Sequence, residues 1–275
     1  MQKPISSHAQ TIKILREHQL KAKKHFGQNF IIDPTVVEKI ARLADVEGKT
    51  VIEVGPGLGA LTEQLSNKAN KVIAYEIDPD CVQVLSEGLG DRENLTVIQK
   101  DFLTTSADEI AQTGATHCVG NLPYYITTPI LFHILENLPS IRVVTIMVQK
   151  EVALRFNASV NTKDYNALTI ILQTLCDIKM VMKVPPAVFH PAPNVESAVV
   201  QLRRKDIDIN DMKDYFEFVK KGFTQRRKTL VNNLKDTYDI KEALQKMNLS
   251  ESIRGEALNL TQWRELYEIS CIREG

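Results

Sequence analysis

Residues 50–67 read TVIEVGPGLGALTEQLSN, in which a β-rich run, a glycine-rich loop and a helical pattern follow one another directly. The loop contains Gly55, Gly57 and Gly59, and the helical pattern continues to Asn67. Glycines allow a backbone to approach a bound ligand closely, and the start of a helix offers unpaired N–H groups. This succession therefore predicts the nucleoside-binding unit of a doubly wound α/β sheet.

The sequence around this unit alternates short β-rich runs with helical stretches from residue 33 to about residue 203. Such alternation is typical of a Rossmann-like parallel sheet with helices on both faces. A late pair of β-rich stretches predicts an antiparallel edge to that sheet. The predicted strands are 50–54, 71–76, 95–99, 116–120 and 143–149, followed by the pair at 177–184 and 195–204.

The β-rich pattern ends at residue 205, and a small α-helical domain is predicted after it. Its four helices are expected at 211–223, 225–235, 239–248 and 261–272. We thus expect a basic N-terminal arm at 1–30, a Rossmann-like domain at 31–205 and a small helical domain at 206–275.

The composition is that of an ordinary globular protein, with 43% hydrophobic and 25% charged residues. No apolar run approaches the roughly 20 residues that a membrane span needs, and the N-terminus lacks the apolar core of a signal peptide. The four cysteines are far apart and form no Cys-x-x-Cys pair, which argues against a zinc site or disulfides. We therefore expect a cytoplasmic protein with no metal and no membrane contact. Nothing indicates an obligate dimer, so a monomer is expected.

The formal net charge is zero, but basic residues are concentrated in two segments. Residues 1–30 contain six Lys or Arg and one Glu, and residues 220–228 contain five Lys or Arg and no acid. A phosphate backbone responds to such local patches rather than to the total charge. Charge alone does not separate an RNA-binding surface from two solvated surfaces.

Two acidic residues follow strands of the predicted sheet. Glu76 lies 21 positions after Gly55 and ends the second strand, where a carboxylate can hold both hydroxyls of a ribose. Asp101 follows the third strand and either caps a helix or accepts from an exocyclic amino group. With Ala60, the loop also satisfies the G-x-G-x-x-A pattern of dinucleotide-binding proteins. An NAD-dependent oxidoreductase is therefore an alternative at this point.

The run Asn121-Leu122-Pro123-Tyr124, after the fourth strand, favours methyl transfer to adenine N6. The lone pair of N6 is delocalised into the ring, so the nitrogen is a poor nucleophile. The Asn121 side-chain carbonyl and the Leu122 main-chain carbonyl can each accept one N6–H, which aims the lone pair at a methyl donor. Pro123 restricts Leu122 to extended backbone, and Tyr124 offers a flat face for stacking the base. An oxidoreductase would leave this run unexplained.

Eight blocks, in order, carry a resemblance to a known family. They are KKHFGQNFIID (23–33), VIEVGPGLGALT (51–62), YEID (75–78), KDFL (100–103), GNLPYYITTPI (120–130), MVQKEVALRF (147–156), VFHPAPNVESAVV (188–200) and FTQRRKTLVNNL (223–234). The chain resembles the ribosomal RNA adenine N6,N6-dimethyltransferases of the small subunit (the KsgA type). The erythromycin-resistance rRNA methyltransferases and the mitochondrial transcription-factor-B proteins are related to them.

The resemblance assigns roles to individual residues. It implies S-adenosyl-L-methionine as cofactor, a methyltransferase domain at 31–205 and a catalytic loop at Asn121–Tyr124. It also implies that the arm at 1–30 contains the start of a cofactor lid and that the helical domain at 206–275 binds RNA. For the target adenine it implies a second aromatic wall at Phe189, facing Tyr124. Phosphates around a splayed-out RNA base need cations, so the basic start of the second helix of the helical domain is the expected phosphate clamp. The implied cofactor residues are Gln28, Asn29, Ile31, Gly55, Gly57, Glu76, Ile77, Asp101, Phe102 and Asn121; the clamp is Arg226, Arg227 and Lys228.

The implied activity is dimethylation of N6 on two adjacent adenosines near the 3′ end of 16S small-subunit rRNA, within a pre-30S particle during subunit biogenesis. Two alternatives stay open. One is a large-subunit rRNA adenine methyltransferase of the macrolide-resistance type, against which the VFHPAPNVES block and the Arg-Arg-Lys run weigh. The other is an assembly or transcription factor that binds without catalysis.

Overall fold

The computed structural model of the chain describes residues 3–23, 27–123, 125–209 and 211–271. Their internal contacts divide the chain into two compact units. The first consists of Met1–Ala153 with Lys179–Arg204, and the second of Leu154–Ile178 with Lys205–Gly275. The segment from 154 to 178 thus belongs with the C-terminal helices, whereas the sequence pattern had assigned it to the sheet domain.

A seven-stranded sheet forms the centre of the first unit, in the order β4-β3-β2-β5-β6-β9-β7. The five neighbouring strands β4, β3, β2, β5 and β6 pair in parallel. Strand β9 pairs antiparallel with β6. The predicted Rossmann-like sheet with an antiparallel edge is confirmed. Its strands are β2 (Thr50–Val54), β3 (Lys71–Glu76), β4 (Leu95–Gln99), β5 (His117–Asn121), β6 (Val143–Gln149), β7 (Cys176–Val184) and β9 (Ser197–Arg204). A separate antiparallel pair joins β1 (Phe30–Ile31) to β8 (Phe189–His190).

Helices connect the strands of the first unit and continue into the second. The helices as far as β6 are α1 (His8–Glu17), α2 (Pro34–Leu43), α3 (Ala60–Ser66), α4 (Pro79–Leu89), α5 (Ala107–Gln112) and α6 (Thr127–Asn137). Those after β6 are α7 (Lys150–Arg155), α8 (Ala167–Leu175), α9 (Met212–Gly222), α10 (Leu230–Leu234), α11 (Ile240–Lys246) and α12 (Leu260–Cys271). In the part of the chain that the structure describes, no helix is long and apolar enough to span a bilayer.

Two helices begin at Asp-Pro pairs, as the sequence indicates. The Asp33 carboxylate accepts hydrogen bonds from the N–H groups of Thr35 and Val36 at the start of α2. Asp78 accepts from Asp80 N at the start of α4. An acidic N-cap with proline at the first helical position satisfies free N–H groups and presets φ, so both starts are fixed locally.

The N-terminal segment is more ordered than its composition suggested. The predicted basic arm contains α1, whose Ile14 and Leu15 are buried in a hydrophobic cluster with Phe30, Leu58 and residues of α4. Apolar residues spaced three and four apart give a helix a face that packs against a core.

The second unit is organised around Trp263, which is fully buried on α12. Its ring stacks on Phe223 and meets Phe218 edge-on, with centroid distances of 5.5 and 5.8 Å. A Cβ atom at Gly222 would lie 2.4 Å from the indole, so only glycine fits there. Tyr165 donates from its hydroxyl to Leu258 O at 2.9 Å. This hydrogen bond connects the segment before α8 to the C-terminal part of the unit.

One predicted helix start is wrong. Residues 225–228 form a turn and a bend, and α10 begins only at Leu230. Thr229 caps that helix by accepting from Asn232 N through its hydroxyl. Since Thr is a strong N-cap former, the helix begins after it rather than within the Arg-Arg-Lys run.

A buried acid lies in the central strand of the sheet. Glu53 of β2 is 1% exposed, and its Oε2 atom has no hydrogen-bond partner among the described residues. Burial raises the pKa of the Glu53 carboxyl to about 8, and the nearby Glu76 carboxylate acts in the same direction. The folded protein therefore keeps Glu53 protonated at neutral pH, whereas the unfolded chain ionises it.

We expect the Glu53 carboxyl to make the free energy of unfolding fall as pH rises from about 5 to about 8. Over this window the folded chain retains a proton that the unfolded chain has released, so the slope is at most about −1.4 kcal/mol per pH unit. Glu53→Gln, which stays neutral, should remove this component. Urea unfolding followed by far-UV circular dichroism at several pH values measures it. The exposed Glu47→Gln should keep the wild-type slope, and identical slopes for both variants would contradict the assignment.

Candidate active site

The carboxyl ends of the parallel strands surround one cavity in the first unit. Its wall includes the loop after β2, the residues that follow β3 and β4, and the end of β5. Residues 27–31 line a further side. Ligands of open α/β sheets bind at this edge, since the strand order reverses there. The sequence-predicted residues Gln28, Asn29, Ile31, Gly55, Gly57, Glu76, Ile77, Asp101, Phe102, Asn121, Leu122 and Pro123 all line this cavity.

The glycine loop brings main chain to the cavity wall. Gly57 has φ of +56°, and a Cβ atom there would meet the Phe30 ring at 3.4 Å. Gly59 has φ of +91°, and its Cβ would lie 2.9 Å from Leu85. Both positions combine a left-handed backbone with close neighbours, which glycine alone tolerates easily. The loop therefore presents backbone rather than side chain to a ligand.

Main-chain donors fix the Glu76 carboxylate at the end of β3. Its Oε2 atom accepts from Gly57 N, and its Oε1 atom accepts from Ile77 N and Asp78 N, all at 2.9 Å. Burial raises the pKa of Glu76 above its ordinary value, although these three hydrogen bonds oppose the rise. The neighbouring Ile77 side chain is 48% exposed at the cavity. A rigid acceptor thus lies beside an apolar surface, as a ribose and its base require.

Asp101 and Phe102 form the wall after β4. Asp101 caps a short 3₁₀ turn by accepting from Leu103 N at 3.0 Å, so its alternative role as an N-cap is realised. Phe102 is buried, with its ring edge-on to Tyr75 and to His133 at 5.6 Å. Because both residues also line the cavity, capping and ligand contact are compatible.

Hydrogen bonds hold the catalytic loop. Asn121 ends β5, and its side-chain Nδ2 donates to Asn29 O at 3.2 Å. This bond turns the amide nitrogen toward residue 29 and leaves the Oδ1 edge facing away from it. The Pro123 carbonyl accepts from Ile126 N and from the Thr127 hydroxyl at the start of α6. Tyr124, predicted to stack on the adenine, lies outside the described residues.

The structure does not bring Phe189 to this cavity. Its side chain is 3% exposed and packs in a hydrophobic cluster with Ile31, its partner in the β1–β8 pair. Phe189 therefore does not line the cavity as expected, because the buried ring presents no face to a base. A stacking role would need the ring to leave that cluster, and it stays a prediction.

Of the three residues of the predicted phosphate clamp, Arg226 makes hydrogen bonds within the protein. Arg226 donates from its guanidinium to Lys163 O at 2.7 Å and to Tyr165 O at 3.4 Å, which stabilises a loop of the second unit. Arg227 and Lys228 are exposed on the turn before α10. The clamp role stays a prediction, and these two side chains are its better candidates.

Several residues around the cavity were not predicted from the sequence. Ile5 and Thr11, from the N-terminal segment, and the exposed Tyr125 line it as well. Lys23, one of the lysines of the basic segment 1–30, pairs with Asp78 and Asp80. Ile5 lies before α1 and Thr11 is a polar residue within it, so the apolar spacing of that helix indicated neither. No group of three or more His, Cys, Asp or Glu in the described ranges is placed to hold a metal ion.

The cavity residues fit an S-adenosyl cofactor. The Glu76 carboxylate is fixed by three N–H groups, the Gly57 backbone leaves a cradle that a side chain would fill, and Ile77 and Phe102 provide apolar walls. A nucleoside needs this combination of acceptor, close backbone and flat apolar surface. The combination alone would also suit a dinucleotide; the Asn-Leu-Pro-Tyr run is what separates the two.

Comparison with known proteins identifies the family. Residues 19–270 match the family described as ribosomal RNA adenine dimethylase. The chain is 40% identical to a ribosomal RNA small subunit methyltransferase A of Clostridioides difficile, over 96% of both chains. It is 41% identical to the protein of that name from Leuconostoc citreum, over 96% of this chain and 95% of the relative.

Two solved structures share this fold. The 23S rRNA methyltransferase ErmE superposes with a TM-score of 0.63 at 30% identity, covering 88% of this chain and 99% of that one. A dimethyladenosine transferase from Plasmodium falciparum gives a TM-score of 0.69 at 25% identity, covering 86% and 95%. The predicted resemblance is thereby confirmed, and with it the S-adenosyl-L-methionine cofactor. The chain belongs to the ribosomal RNA adenine dimethylase family and is an rRNA adenine dimethyltransferase.

Proposed function

We propose that this enzyme dimethylates N6 of two adjacent adenosines near the 3′ end of 16S small-subunit rRNA. The observation that carries the proposal is the position of Asn121: it ends the strand beside the glycine loop, with its amide oriented by Asn29 O. The names of the relatives from Clostridioides and Leuconostoc support the small subunit as substrate.

The catalytic loop acts chiefly by positioning. The cofactor supplies the methyl group when bound. Asn121 Oδ1 and the Leu122 carbonyl accept the two N6–H bonds of the target adenine and orient its nitrogen, while Pro123 restricts Leu122. The proton of N6 can leave after transfer, so alignment contributes more than acid–base catalysis. Stacking on Tyr124 would hold the ring flat, at about 1–3 kcal/mol per base.

The Asn121–Asn29 bond links the catalytic loop to the other wall of the cavity. Residues 27–31 lie on the cofactor side, and the bond from Asn121 Nδ2 ends on their backbone. An amide with one end so engaged is limited in the orientations that it adopts. The carbonyl end is therefore preorganised for an N–H donor before the substrate enters.

The cellular setting is part of the proposal. We place the enzyme in the cytoplasm as a monomer that acts on a pre-30S particle during small-subunit biogenesis. Target bases in RNA must be splayed out of the helix and into a pocket, and the surrounding phosphates need cations. Arg227 and Lys228 supply exposed cations on the second unit.

A large-subunit substrate is the second candidate, since ErmE, a 23S rRNA methyltransferase, matches at 30% identity over 88% of the chain. The curated relatives at about 40% identity and 96% coverage carry small-subunit names. The higher identity over more of the chain favours the small subunit.

Asn121→Ala should lower the rate of methyl transfer by about 10²–10³, the usual cost of removing one preorganised polar contact to a reacting group. Single-turnover transfer at saturating S-adenosylmethionine measures it, with calorimetry to follow cofactor binding separately. Asn137→Ala, an exposed amide on α6, is the matched control and should behave like wild type. Full activity in Asn121→Ala at saturating cofactor would refute the positioning mechanism.

Purified subunits from a modification-deficient strain decide the substrate. Incubation with radiolabelled S-adenosylmethionine should label the small subunit, and mapping should place the methyls on two adjacent adenosines, two on each. Label confined to the large subunit would overturn the proposal in favour of the ErmE-like alternative.

The two exposed cations of the basic turn can be tested together. Arg227→Ala with Lys228→Ala should weaken binding to small subunits roughly 10-fold and reduce the salt dependence of binding by about two phosphate contacts. Lys213→Ala with Lys235→Ala removes two exposed charges from the same unit and should change both quantities little. Equal salt dependence in the two double variants would rule out a phosphate contact at this turn. Titration by filter binding at several salt concentrations gives both numbers.

A further inference from the structure

Asp78 is a buried carboxylate that lies next to the cofactor cavity without lining it. It is 1% exposed at the start of α4, and the cavity wall passes from Ile77 to Lys100 without including it. The cofactor contacts predicted from the sequence do not use this side chain. A buried charge is stable only where partners compensate it, so its partners indicate its role.

Those partners come from the N-terminal segment. Asp78 Oδ1 accepts from Lys23 Nζ at 2.7 Å, and Asp78 Oδ2 accepts from Gln28 Nε2 at 2.9 Å. Gln28 in turn accepts from Lys23 N through Oε1 at 2.9 Å. We call Lys23, Gln28 and Asp78 the lid latch. Both ends of the Gln28 amide are used within it.

The electrostatics of the latch agree with its geometry. Burial opposes ionisation of Asp78, but the hydrogen bonds from Lys23 and Gln28 hold the pKa of that carboxyl below its ordinary value. The hydrogen bond to Asp78 likewise raises the pKa of Lys23. At neutral pH the latch is therefore a buried carboxylate paired with a protonated lysine.

The lid latch is continuous in sequence with residues that line the cavity. Gln28 is followed directly by Asn29, whose carbonyl accepts from Asn121, and by Phe30 and Ile31 of β1. The backbone of residues 27–31 lines the cavity. Fixing the Gln28 side chain against α4 thus fixes the wall that faces both the cofactor and the catalytic amide.

We propose that Asp78 is a positioning residue, which holds residues 27–31 closed over the cofactor through Gln28 and Lys23. Gln28, predicted as a cofactor ligand, then acts through Asp78 rather than by touching the cofactor with its side chain. The inference takes the family's methyl transfer as given and names the group that retains the methyl donor. Loss of the latch should speed release of the cofactor and leave the chemical step largely intact.

Asp78→Asn is the main test because asparagine also caps helices well, so α4 keeps its start while the charge is lost. We expect the dissociation rate of S-adenosylhomocysteine, measured by stopped flow on the full chain, to rise at least 10-fold. KM for S-adenosylmethionine should rise with it, while kcat at saturation stays within about threefold. In the cofactor-free protein, the amides of residues 29–31 should exchange hydrogen faster.

Asp80→Asn is the matched control, since Asp80 pairs with the same Lys23 Nζ at 2.6 Å but is 47% exposed. It should change the dissociation rate less than threefold. Gln28→Leu breaks the amide contacts and leaves the Lys23–Asp78 pair, so it carries the test if Asp78→Asn does not fold. Lys23→Arg should retain most of the affinity, whereas Lys23→Met should resemble Asp78→Asn.

Three results would overturn the proposal. Asp78→Asn and Gln28→Leu could both match Asp80→Asn in dissociation rate and amide exchange. They could lower kcat with KM unchanged, which would indicate a direct part in the chemistry. They could also lower the unfolding midpoint without changing cofactor release, which would indicate stability alone. Binding of S-adenosylhomocysteine needs no RNA, so an inactive wild-type enzyme on small subunits would refute the proposed substrate and leave the latch measurable.

Discussion

Parallel pairing of β2 with β3 and β5 is the constraint on which the site depends. Because all three strands run the same way, the residues that follow them meet at one edge of the sheet. The glycine loop, Glu76 and Asn121 come from distant parts of the sequence and reach one cavity for this reason. A one-residue slip in register would turn each side chain to the opposite face. The buried strands that hold the register therefore also set the geometry of methyl transfer.

Three carboxyl groups lie close together at this edge of the sheet, and each has different hydrogen-bond partners. Glu76 is held by three main-chain N–H groups, Asp78 by a lysine and an amide, and Glu53 has an oxygen without a described partner. Adjacent like charges in a buried region raise one another's pKa. Protonation of Glu53 relieves that repulsion, so the other two can remain available as acceptors. The electrostatic repulsion among these acids is thus reduced in three ways: Glu53 is protonated, main-chain N–H groups stabilise Glu76, and a lysine pairs with Asp78.

Local patterns were sufficient to predict the sheet, the glycine loop and the Asp-Pro helix starts, because each depends on residues close in sequence. The antiparallel edge followed from the late pair of β-rich runs. The burial of Phe189 could not be predicted in this way, since it depends on the pairing of β8 with β1 across more than 150 residues. The turn at 225–228 was missed because basic, helix-favouring residues outweighed the stronger cap at Thr229. The hydrogen bond between Asn121 and Asn29 could not be predicted either, because it joins residues that are distant in sequence and meet only in the fold.

The number of basic residues in a segment does not show which of them bind RNA. Lys23 and Arg226 both belong to segments whose positive charge suggests RNA contact, yet each makes specific intramolecular bonds. A cation already held by a buried carboxylate or by main-chain carbonyls has less to gain from a phosphate, because the existing partner must first be given up. Exposure alone does not identify an RNA contact either, since Arg226 is exposed like its neighbours Arg227 and Lys228. In our proposal Lys23 instead fixes the segment that closes over the cofactor.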